Sequence, residues 1–64
     1  MNERITKKEV RSDFKHARYL MRLAEAAMRN PETDWADAEV IANELVACAA
    51  TFAQYVQEQQ EETA

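Results

Sequence analysis

Asp13 and His16 stand three residues apart, a spacing that on a helix turns a carboxylate and an imidazole toward the same side. Carboxylate-x-x-His pairs of this kind hold metal ions in helical bundles, and a second copy of the chain would bring a second pair. Such centres need further inward carboxylates. Glu9 and Glu44 are the candidates, and no motif places either one. A structural pairing of Asp13 with His16, or with a neighbouring cation, is the simpler role, so neither a metal nor a cofactor is expected. With one His and one Cys there is no legible nucleophile and base pair, and with no Gly there is no phosphate-cradling loop. The chain is therefore expected not to be an enzyme. Cys48 falls on an apolar line of its helix, where it reads as a small hydrophobe with a protonated thiol.

The remaining chemistry is charge. Arg11, Lys15, Arg18 and Arg22 follow helical spacing and form one cationic stripe, with Tyr19 beside it as the aromatic residue expected to be most exposed. All eight Lys and Arg residues precede Pro31, whereas eight of the twelve Asp and Glu residues follow it. Residues 1–30 thus carry a net +4 and residues 31–64 a net −8. In an antiparallel hairpin, Lys7 and Lys8 are expected near Glu58, Glu61 and Glu62, and Arg22 and Arg29 near Asp34, Asp37 and Glu39. The centre of the stripe then faces an apolar stretch in which Glu44 is the one acid. The stripe reads either as a solvated face or as a surface for an anionic partner.

Two helices must position these groups. Thr6-Lys7-Lys8-Glu9 is a capping box flanked by Ile5 and Val10 at hydrophobic-staple spacing, so helix 1 is predicted over about 7–29. Val10, Phe14, Ala17, Met21, Ala24 and Met28 recur as a heptad seam on it, widened on one side by Leu20, Leu23 and Ala27. Phe14 is placed in the core by this pattern. Asn30-Pro31 stops the helix, since a residue before proline is pushed out of the helical region. Thr33 and Asp34 are good N-caps for helix 2, predicted over about 34–60 with a frayed acidic tail at 61–64. Helix 2 carries two overlapping seams. Ala38, Ile41, Leu45, Cys48, Phe52 and Tyr55 form one, and Trp35, Ala38, Ala42, Leu45, Ala49, Phe52 and Val56 the other. Trp35 reads as a side chain that closes the loop end of the core, with an interface anchor as its other role.

One helix cannot cover both seams, so the expected fold is all-α: a single domain, a two-helix antiparallel hairpin that dimerises into a four-helix bundle. Size points the same way, because ordering 64 residues at about 1.5 kcal/mol each consumes what a core this small recovers. The longest uncharged stretch, 45–57, is short of the ~20 residues that span a bilayer, and the charged N-terminal segment is unlike a signal peptide. A cytoplasmic protein that touches no membrane is expected.

In plan the chain is similar to the Rop family of plasmid proteins, hairpins of nearly this length that dimerise into four-helix bundles and bind paired RNA loops through their first helices. The similarity lies in the hairpin layout, the start at Thr6, Lys7 and Glu9, and the cationic first helix. It implies an RNA-binding role for the stripe. Against nucleic acid stands the net charge of −4. The reading drawn from the residues themselves is a homodimeric module that occupies a surface of another protein with Arg11, Lys15, Arg18, Tyr19 and Arg22. A third reading is a structural subunit of a larger helical assembly that uses Val40, Ala47 and Ala50 as an extra contact.

Overall fold

A computed structural model describes residues 4–63 of the chain, and these form two helices, α1 over Lys7–Arg29 and α2 over Trp35–Thr63. Their direction follows from what touches across them. Ile5 meets Glu58, Phe14 meets Phe52 and His16 meets Glu44, so partners descend α2 as they ascend α1. The helices are antiparallel and packed on each other, and the hairpin measures 49 × 20 × 17 Å.

The ends form where the side chains can satisfy them. Thr6 is extended at φ −93° and ψ 157°, and its hydroxyl oxygen accepts the Glu9 N–H at 3.2 Å, the forward half of the capping box. Asn30 leaves the helix at φ −89° and ψ 116°, as Pro31 requires of the residue before it, while its own N–H still donates to the Ala26 carbonyl. The turn then binds itself. Asn30 Oδ1 accepts the Glu32 N–H at 3.0 Å, and the Thr33 hydroxyl points its proton at the Ala27 and Asn30 carbonyls, 2.5 and 2.9 Å away. Asp34 caps α2 by accepting the Ala36 N–H at 2.9 Å, so the helix proper starts one residue later than the expected 34.

At its far end α2 continues to Thr63, past the expected stop near Gln60 and through most of the tail expected to fray; Ala64 lies outside the described residues. Three contacts hold this extension against an unfavourable helix dipole. Glu62 pairs with Arg4, Glu58 accepts the Ile5 N–H at 3.2 Å, and the Thr63 hydroxyl donates back to the Gln59 and Gln60 carbonyls.

The packed line of α1 runs Val10, Asp13, Ala17, Leu20, Ala24 and Ala27, in steps of three and four. Val10 and Leu20 are fully buried and the other four are half-buried. Of the seam expected on this helix, Phe14, Met21 and Met28 fall to one side and stay exposed. The packing axis is turned by one position, and its centre is Leu20, which sequence spacing puts at the margin. Facing it on α2 are Ala38, Ile41, Leu45, Cys48 and Tyr55, all half-buried, five of the six residues of the first overlapping seam; its sixth, Phe52, is exposed. Trp35, Ala42, Ala49, Phe52 and Val56 of the second seam are exposed. Among the described residues, no helix is long and apolar enough to cross a membrane.

Leu20 is the largest side chain fully inside the hairpin. Leu20→Ala should lower stability by about 2–5 kcal/mol, read as a fall in the urea midpoint at fixed chain concentration, whereas Tyr19→Ala should stay within about 0.5 kcal/mol.

Candidate functional site

At about 100° per residue, each helix has four sides, and the contacts across the hairpin assign them. One side of the hairpin is apolar. Phe14, Met21 and Met28 of α1 border Trp35, Ala42 and Phe52 of α2, with the Phe14 and Phe52 rings 5.4 Å apart and tilted by 58°. Near the loop this side has a recess of about 140 Å³, lined without exception by apolar side chains: Ala24, Ala27, Met28, Trp35, Ala38, Ile41, Ala42 and Leu45. Trp35 is its rim and is 64% exposed, so it does not close the core of the single chain. Phe14, at 41% exposed, likewise sits on this face and not inside.

The opposite side is a polar cleft. Asp13 and His16 of α1 face Glu44, Ala47, Cys48 and Thr51 of α2 across an open space of about 310 Å³. His16 Nε2 lies 3.6 Å from Glu44 Oε2, and the Tyr19 ring stacks near the imidazole with centroids 6.5 Å apart. The structure therefore brings the two sequence-singled residues, Asp13 and His16, together with the carboxylate that no motif located. Glu9 is not a member of this lining. Even so, among the described residues no three His, Cys, Asp or Glu side chains are placed to hold one metal ion. Cys48 belongs to this cleft. Partial burial pushes its thiol above the ordinary value, and the nearby negative charges of Asp13 and Glu44 push it the same way. It is a poor nucleophile at neutral pH.

The third surface is the back of α1. Arg11, Lys15, Arg18 and Arg22 are all exposed, Tyr19 is 56% exposed on the border between this stripe and the cleft, and none of the four cations stands within ion-pair distance of a carboxylate among the described residues. The ion pairs expected at the loop end, Arg22 and Arg29 with Asp34, Asp37 and Glu39, are not formed among the described residues. Helical phase explains this. Asp37, Glu44 and Glu58 share one heptad position on the cleft side of α2, seven and fourteen residues apart, while the arginines lie behind α1. At the open end, Arg4 takes the role expected of Lys7 and Lys8 by pairing with Glu62.

Two of these features escaped the sequence. Asp13 interrupts the apolar line of α1, which hid the line's true centre, and nothing in the spacing of Glu44 marks it as the partner of His16. Reading α1 in steps of three and four from Val10 with Asp13 admitted would have found the first. Searches against protein-family models, curated proteins and solved structures find no match to this chain, so the likeness in layout to the Rop family brings no residue roles with it.

The environment of Cys48 has a measurable sign. Removing the Glu44 charge by Glu44→Gln lowers the thiol's pKa toward its ordinary value, so alkylation of Cys48 at fixed pH should become faster by a small factor. Because the folded-state thiol is raised, its contribution to pH dependence is a loss of stability as pH rises past the unfolded thiol's range. Alkylation rates and denaturation midpoints between pH 7 and about 10 check both statements.

Proposed function

We propose that the chain is a non-enzymatic hairpin that homodimerises through its apolar side and acts by seating an acidic surface of another protein on the cationic back of α1. The observation that supports this is the separation of surfaces. The stripe lies away from Asp37, Glu44 and Glu58 of α2, and none of Arg11, Lys15, Arg18 and Arg22 has a carboxylate within ion-pair distance among the described residues. Like charges at i and i+4 oppose the helix that carries them by some 0.2–0.5 kcal/mol per pair. An external anion removes that cost and gains charge-assisted hydrogen bonds from guanidinium groups. Tyr19 at the border supplies an amphipathic contact of the kind enriched at protein interfaces.

Dimerisation supplies what the single chain lacks. Fully buried apolar side chains are confined to Val10 and Leu20 among the described residues, while Met28, Trp35, Val46 and Met21 are more than half exposed. Nucleic acid is the competing partner for the stripe. The acids along the cleft and the net charge of −4 weigh against it by repelling the rest of a phosphate backbone.

Photo-cross-linking from position 19 in cells, with adducts identified by mass spectrometry, tests the reading. The expected adduct is a protein carrying an acidic segment at the linked site, reduced about tenfold in the Arg18→Glu/Arg22→Glu variant, whose exposed substitutions leave helix content unchanged. Adducts dominated by RNA would replace this reading with the nucleic acid one. Equal recovery from the charge-reversed variant would remove the stripe from function altogether.

A further inference from the structure

The apolar side holds both a pair of aromatic rings and a hollow. The Phe14 and Phe52 rings pack together on it, 41% and 44% exposed. The recess walled by Met28, Trp35 and Ala42 opens on the same side nearer the loop. From Phe14 to the Ala24–Met28 wall is ten to fourteen residues of α1, about 15–20 Å at helical rise. The recess, about 140 Å³, is the size of a cavity that admits one benzene ring.

We infer that this side is occupied by the same side of a second copy, turned end for end, so that one ring of each copy's Phe14–Phe52 pair enters the other's recess and the two loops lie at opposite ends of the bundle. The inference rests on the dimer reading above and fixes its geometry. Two face-to-face twofold arrangements exist for hairpins. With the axis parallel to the helices, both loops lie at one end. Every residue then faces its own level, aromatic pair against aromatic pair and hollow against hollow, which leaves a void that costs packing. With the axis across the helices, near Met21, levels are exchanged and the aromatic rings face the hollow.

Area supports a second copy as the occupant. The chain exposes 5495 Å², about 1,300 Å² more than a compact monomer of its mass. Two such excesses give about 2,600 Å², within the range of obligate homodimers. Charge fits as well. The end-for-end arrangement sets α1 beside α1, and Glu25, the one acid that borders the apolar side on this helix, comes level with Ala17 and Arg18 of the second copy. Arg22, one residue from the axis, meets its own like charge, a solvent-exposed repulsion. The result places the two cationic stripes on the same side of the bundle, doubling the surface offered to one partner.

The test uses the full chain carrying Cys48→Ser and Glu32→Cys, spin-labelled in the turn. Sedimentation equilibrium should give a dimer at both low and 0.5 M salt, and the dipolar distance between labels should be about 35 Å, twice the eleven-residue rise from Met21 to the turn. A separation of about 10–20 Å, the span of neighbouring helices, would overturn the end-for-end arrangement. A monomer would overturn the second copy as occupant, and it would leave the cross-linking test of the stripe standing on its own. Ala42→Glu, at a position exposed in the single chain, puts a charge in the recess and should weaken dimerisation at least a hundredfold with helix content retained. Unchanged dimerisation of that variant would also refute the proposal. Should it unfold instead, the label distance in the parent chain decides.

Discussion

Shortage of interior is the constraint that organises this molecule. Two antiparallel helices can enclose only the side chains directly between them, and here that space holds Val10 and Leu20 with a ring of half-covered alanines. Three of the six residues on the packed line of α1 are alanines, which fill little of the space between the helices. Phe14, Met21, Met28, Trp35 and Phe52 are therefore displaced to one side. Their exposure follows from lying beside the line on which the helices pack.

That displacement sorts the surface. Once the large apolar groups share one side, the polar residues with packing-compatible phase, Asp13, His16, Glu44 and Cys48, share the other, and the long cations are left on the back of α1. Lys and Arg tolerate that position because their stems are flexible and their heads remain hydrated. Burial in the cleft, helped by the carboxylates of Asp13 and Glu44, raises the pKa of the Cys48 thiol. Apolar, anionic and cationic surfaces on so small a chain are thus three consequences of one packing choice.

Much of this was legible in the residues. The capping groups Thr6 and Asp34 and the stop at Asn30-Pro31 locate three of the four helix ends, because capping is a local matter of one side chain and two or three backbone groups. The fourth end depends on Arg4 and Ile5, which are distant in sequence from Glu58 and Glu62, and no local rule reaches that far. The cationic stripe was legible because it is a property of one helix. The phase of α1 was not, since heptad spacing favours the line richest in large hydrophobes, while the hairpin packs on the line richest in small ones. The pairing of His16 with Glu44 needs the register between helices, which spacing within either helix does not contain.

The turn from Asn30 to Asp34 closes without glycine and without any residue in the left-handed region among the described residues. Its hydrogen bonds, from Glu32 to Asn30, from Thr33 to Ala27 and Asn30, and from Ala36 to Asp34, all span six residues or fewer. A bend held by such local bonds forms at little loop-closure cost and before distant groups have met. Folding of this chain then begins in its middle and zips outward. The clasp of Arg4 and Ile5 onto Glu62 and Glu58 closes last, and by the same token opens first when the protein is strained.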